Sequence, residues 1–193
     1  MSVMRPRLAL LLLVLVGALV PFPRPAAGQA PAVAPDFTLT NQDGATIRLR
    51  QFRGRYVLLS FIYTHCPDIC PLTVAKLVRV QQELQQRRWF GTKAVLLTMT
   101  FDPQRDTPAV LKAYAAKFKV DHSGWHFLSG RPAVVTKVVA SYRIPVRPSS
   151  RPGRIDHGAP ILVIDPQGRV LGYYNPDFNP PDVISDLRTL LGN

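Results

Sequence analysis

Apolar and polar positions along this chain separate into strand-like runs and helix-like periods. Val57 to Tyr63 is an apolar run rich in β-branched and aromatic residues, and it reads as a buried strand. A short polar turn follows. Pro71 then stands where a helix can begin, because its missing N–H is not needed in a first turn. Leu72 to Arg87 are mostly good helix formers, with apolar positions at Leu72, Ala75, Val78 and Leu84. Upstream, Asp36 to Leu49 reads as strand–turn–strand, with Phe37, Leu39, Ile47 and Leu49 around the turn Asn41-Gln42-Asp43-Gly44. Downstream, Ala94 to Thr100 is a second buried strand. Phe101 to Pro108 is a loop in which Asp106 or Thr107 caps a helix running to about Phe118. Trp125 to Leu128 reads as a short strand and Arg131 to Tyr142 as a helix. Val146 to Ile155, dense in Arg, Pro, Ser and Gly, reads as a mobile polar loop. Ile161 to Ile164 and Val170 to Tyr174 flank a hairpin turn at Asp165-Pro166-Gln167-Gly168, and Asp182 to Leu191 closes the chain as a helix.

Strands spaced by helices, then a hairpin and a last helix, argue for an α/β domain with a mixed sheet. A strand, a turn holding two cysteines (Cys66 and Cys70) and a helix, followed by a crossover and a hairpin, suggest a thioredoxin-like fold, which periodicity alone does not name. Its mixed central sheet would be flanked by helices and preceded by an N-terminal hairpin.

The chemistry gathers at the first of these junctions. The only two cysteines, Cys66 and Cys70, lie between the Val57–Tyr63 strand and the helix after it. A helix start favours an anion, so a thiolate there should have a lowered pKa. Residues four apart in a helical turn share a face, so the two sulfurs can close a disulfide or grip one soft metal ion. As a structural staple the pair would be weak, because so short a loop removes little entropy from the unfolded chain.

Composition places this chemistry outside the cytoplasm. Arg5 and Arg7 precede 13 uncharged residues, Leu8 to Val20, and small residues follow at Ala26-Ala27-Gly28. Residues 1–28 therefore read as a signal peptide, with an uncleaved N-terminal anchor as the alternative. Residues 29–35 read as a Pro/Ala linker and 36–193 as one domain. The expected location is the periplasm, or the outer face of the inner membrane if the segment stays, and both permit disulfide chemistry. The formal charge is +12, and +9 without the three arginines of the first 28 residues. That leaves room for an acidic partner, but no basic run interleaved with aromatics points to nucleic acid.

A third ligand is offered by His157 in Arg154-Ile155-Asp156-His157-Gly158. In a thioredoxin-like sheet the late hairpin approaches the cysteine turn, so His157 could complete a site of two sulfurs and one nitrogen. On isolated sequence grounds a surface-loop histidine is the simpler reading. His65 is the nearest candidate for a fourth ligand, although its neighbour Cys66 should aim it away. His122 and His126 read as structural, and Met99 as core.

Tyr63-Thr64-His65-Cys66-Pro67-Asp68-Ile69-Cys70-Pro71 resembles the cysteine motif of the Sco/SenC family, the copper-binding assembly factors of cytochrome c oxidase. Asp102-Pro103-Gln104-Arg105-Asp106-Thr107-Pro108 resembles the acidic loop of that family, and Tyr142-Arg143-Ile144 the segment before its variable loop. Asp156-His157, with Pro166-Gln167-Gly168 beyond, has the family's spacing from metal histidine to hairpin. The resemblance spans about Asp36 to the end. It implies a thioredoxin-like fold in which Cys66, Cys70 and His157 bind one copper ion, as Cu(I) and also as Cu(II), and in which Cys66 and Cys70 form a redox-active disulfide. It also implies delivery of copper to the binuclear site of oxidase subunit II, or reduction of that site's cysteines. Further partners would be another copper donor or a thioredoxin-like reductant. Two departures flank the third ligand: Gly158-Ala159-Pro160 replaces bulkier residues, and the loop before Asp156 lacks an aromatic cluster.

Three functions compete on these residues. A metallochaperone needs all three ligands. A thiol–disulfide oxidoreductase needs only Cys66 as attacking and Cys70 as resolving thiol. A thiol peroxidase is suggested by Ala34-Pro35-Asp36-Phe37-Thr38-Leu39, which resembles the opening of peroxiredoxins. In that reading Thr64 would activate the thiol, while Asp68 places a negative charge where a cation is wanted.

Overall fold

The computed structural model describes residues 32–192. The signal segment or anchor expected at 1–28, and the linker up to residue 31, lie outside the described residues. Among the described residues no helix is long and apolar enough to cross a membrane.

In chain order the elements are β1 (Thr38–Asn41), β2 (Thr46–Arg48), β3 (Tyr56–Ile62), α1 (Ile69–Gln86), β4 (Ala94–Thr100), α2 (Pro108–Ala116) and β5 (Trp125–Ser129). They continue with α3 (Pro132–Ser141), β6 (Val146–Pro148), β7 (Ile155–His157), β8 (Ile161–Ile164), β9 (Val170–Tyr174) and α4 (Pro180–Leu191). Seven strands form one sheet in the order β2-β1-β5-β4-β3-β8-β9. The central pairs β3–β4 and β4–β5 are parallel, and the pairs outside them are antiparallel. This is the thioredoxin-like mixed sheet flanked by helices, with the β1–β2 hairpin added at one edge.

The two continuous apolar runs are explained by burial on both faces. In β3, Tyr56, Leu58 and Ile62 point to one layer and Val57, Leu59 and Phe61 to the other. The first layer packs on α1, α2 and α4 through Val74, Leu77, Leu111, Ile184 and Leu187. The second packs on α3 and on the hairpin through Val135, Val139, Phe37, Leu39 and Ile47. Met99 belongs to this second layer and is fully buried, as core.

Two segments are more ordered than their composition predicts. Residues 32–35 run along the late hairpin, where Val33 bridges Arg169 and Ala34 N donates to the Gly168 carbonyl at 2.9 Å. The Val146–Ile155 stretch is bracketed by β6 and β7, which pair as a separate antiparallel ribbon with Val146 opposite His157. Ribbon formation is what fixes the histidine in space.

Candidate metal centre

The site lies where β3 ends. α1 begins at Ile69, so Cys70 sits in the first helical turn with Pro71, and Cys66 lies in the turn before it. Three hydrogen bonds to one buried carboxylate hold that turn. Asp106 accepts from Thr64 N at 3.1 Å, from the Thr64 hydroxyl and from the Thr100 hydroxyl. Asp102 is engaged separately, by the Arg105 side chain and by its own N–H on the Thr100 hydroxyl. The acidic loop is thus a brace for the cysteine turn. Thr107, not Asp106, caps α2 by accepting from Val110 N.

On the other side, β7 brings His157 over the helix start. Its Nδ1 lies 3.0 Å from the Gly158 carbonyl, so Nδ1 carries the proton and Nε2 keeps its lone pair. Nε2 is 3.8 Å from Cys70 Sγ. The ring packs against Phe101, with centroids 4.5 Å apart, and edge-on against Tyr63 at 5.6 Å. Burial lowers the pKa of this imidazole below its ordinary range, which favours the neutral, ligand-competent ring. Tyr63 also accepts a hydrogen bond at its hydroxyl from Ile155 N at 3.3 Å, tying strand β3 to the ribbon.

Sγ of Cys66, Sγ of Cys70 and a ring nitrogen of His157 all lie within 4.8 Å of one another, the one such group of His, Cys, Asp or Glu among the described residues. Two sulfurs and one imidazole nitrogen form a soft donor set, the set that suits Cu(I). His65 is exposed, has its Nδ1 on the Thr64 hydroxyl and stands outside the group. His122 and His126 are also outside it. His122 Nδ1 pairs with the Trp125 carbonyl, and His126 lies against the Phe52 ring.

A helix start predicts a lowered thiol pKa, yet the Cys70 thiol is pushed up. Cys70 is 1% exposed, and desolvation of a thiolate there outweighs the helix dipole. Both cysteines are free thiols in this structure, Cys66 partly exposed and Cys70 buried. The peroxidase reading loses its activating group, because the Thr64 hydroxyl is committed to Asp106.

The family model described as SCO1/SenC matches residues 25–192. The chain belongs to the SCO1/SenC family. It is 29% identical over 157 residues to the SCO1 protein homolog of Bacillus subtilis, covering 79% of this chain and 80% of that one. It is 33% identical over 144 residues to the mitochondrial SCO2 homolog of Bos taurus, covering 72% of this chain and 53% of that longer relative. Among solved structures it is similar to Bradyrhizobium japonicum ScoI with copper bound. That match has 31% identity and a TM-score of 0.67, over 82% of this chain and 99% of the other. It is also similar to BsSco, a member of the Sco family of cytochrome c oxidase assembly proteins in which a disulfide switch is described. There the identity is 27% and the TM-score 0.70, over 82% and 93% of the two chains. The thioredoxin-like fold of this SCO1/SenC protein is thus shared along most of its length.

Proposed function

We propose that this SCO1/SenC protein is a periplasmic Cu(I) metallochaperone for the binuclear copper site of cytochrome c oxidase subunit II. The observation that carries the reading is the convergence of Cys66, Cys70 and His157 within 4.8 Å. Copper is the cargo. Each thiol gives up its proton when its sulfur takes the metal, and this is how a buried Cys70 sulfur becomes a thiolate despite its environment. His157 arrives neutral with Nε2 facing the sulfurs. Three donors leave the metal open on the side of the solvent-facing cavity lined by Cys66, Pro67, Asp68 and Arg154, where a partner's ligand can attack. The copper-bound relative supports the cargo, and the relative named as an oxidase assembly protein supports the destination. The expected export segment supports the location.

The test is an anaerobic Cu(I) competition titration of the reduced protein, wild type beside His157→Ala. A tight one-to-one complex, weakened in the variant, supports the reading. Absence of binding with both thiols reduced sinks it.

A second reading has its own support. A half-exposed Cys66 beside a buried Cys70 is the arrangement of an attacking and a resolving thiol. We infer that the protein in that case keeps the subunit II cysteines reduced, and His157→Ala would retain that activity.

A further inference from the structure

Tyr63 follows the last residue of β3 and touches all three ligands with different parts of itself. Its carbonyl accepts from Cys66 N at 3.2 Å. Its backbone N–H is a hydrogen-bond partner of the Cys70 sulfur. Its ring, 2% exposed, stands edge-on to His157 with centroids 5.6 Å apart. Its hydroxyl oxygen accepts from Ile155 N at 3.3 Å.

That last bond uses the phenol oxygen as acceptor and leaves its own proton to be donated. Among the described residues no oxygen or nitrogen accepts it. A buried donor without an acceptor is costly, so the surroundings of this proton matter. Tyr63 lines the cavity at the metal centre together with Cys66, Asp68 and Asp156. The two carboxylates are exposed, whereas Cys66 is half-buried and packs against the core cluster that contains Tyr63. The sulfur is therefore the neighbour that shares the phenol's dry side. Burial holds the phenol above its ordinary pKa of 10, and the Cys66 sulfur adds to the rise as a charge and as a hydrogen-bond partner. The proton thus stays on the phenol at neutral and mildly alkaline pH.

We propose that the Tyr63 phenol is a positioning hydrogen-bond donor of this centre, binding the Cys66 sulfur when that sulfur is anionic and holding it beside Cys70 and His157. A thiolate accepts such a charge-assisted bond strongly, and a disulfide sulfur only weakly. The phenol therefore favours the reduced pair over the disulfide. It favours a metal-bound Cys66 thiolate for the same reason, and this second consequence rests on the copper reading of the centre.

The test is the reduction potential of the copper-free protein, wild type beside Tyr63→Phe, equilibrated with reduced and oxidised dithiothreitol at pH 9. Two electrons from dithiothreitol break the S–S bond, and the reductant's own sulfurs close into a disulfide ring. Of its two protons, one goes to Cys70 and one to the buffer, while Cys66 is released as the thiolate that the phenol binds. Tyr63→Phe keeps the buried ring and its packing, so the fold is retained. Its disulfide should be about tenfold harder to reduce, a potential about 30 mV more negative. The shift should persist in a His157→Ala background, because the bond does not run through the imidazole. Equal potentials, or a shift of opposite sign, overturn the proposal. A shift that vanishes without His157 also overturns it, since Tyr63 would then act only through its tether to the ribbon at Ile155. The Cu(I) competition titration separates the copper reading: a shifted potential with no Cu(I) complex in either protein sustains the hydrogen bond and removes that reading. Equal potentials beside a tight Cu(I) complex do the reverse.

Discussion

Sγ of Cys70 and Nε2 of His157 meet at 3.8 Å although they are 87 positions apart in the chain. Neither residue reaches the other through local structure. Cys70 is placed by the start of α1, and His157 by a ribbon that is fastened to the end of β3 at Tyr63. The pair is therefore only as well defined as the braces on each side.

The two thiols should differ in reactivity. Cys70 is buried with its thiol pKa raised, whereas Cys66 is partly exposed. Thiolate fraction and access both govern alkylation. At pH 8, iodoacetamide should modify Cys66 first, with Cys70 labelled about tenfold more slowly or only after unfolding. Peptide mass spectrometry over time reads the order directly, and equal rates would contradict the burial argument.

Asp106 should be a stability residue with a local consequence. Its carboxylate is fully buried and accepts from Thr64 N and from two hydroxyls. Asp106→Ala strands those donors and should cost about 3 kcal/mol in urea unfolding. Asp106→Asn keeps one acceptor oxygen and should cost clearly less. In both variants hydrogen exchange at Thr64 should rise more than at β4.

Much of this was legible in the sequence, for identifiable reasons. β3 and β4 announce themselves because both faces are covered, which leaves an uninterrupted apolar run. The hairpin shows through Phe37, Leu39, Ile47 and Leu49, all inward-facing. The β6–β7 ribbon was not legible. Its strands are exposed or half-buried and carry no alternation, and distant partners such as the Tyr63 hydroxyl help to hold it. Asp106 was hidden for a related reason, since beside Thr107 it looks like a helix cap. The raised Cys70 pKa depends on burial, a tertiary quantity that a helix-start motif does not encode.

Gly158 should tune the metal site without being a ligand. A Cβ at this position would lie 3.1 Å from Cδ and 3.2 Å from Cγ of Pro145, while Gly158 N donates to the Pro145 carbonyl at 2.9 Å. The Gly158 carbonyl also orients the His157 ring. Gly158→Val should push the ribbon off Pro145, tilt the imidazole and weaken Cu(I) binding about tenfold. The competition titration measures it, and wild-type affinity in the variant would show that the ribbon absorbs the extra volume.

His126 should give the fold a pH dependence independent of the metal centre. Its Nδ1 is buried with no hydrogen-bond partner, and burial, helped by the nearby His122 and Arg55, lowers its pKa below 6.5. The unfolded chain therefore binds a proton at this ring before the folded protein does. The contribution to stability is present above about pH 6.5 and is lost as pH falls toward the folded value. Urea midpoints measured from pH 7.5 down to 5.5 should decline in the wild type and decline less in His126→Leu. The leucine keeps an apolar contact with Phe52 but has no proton to bind. Parallel curves for the two proteins would assign the decline to other groups.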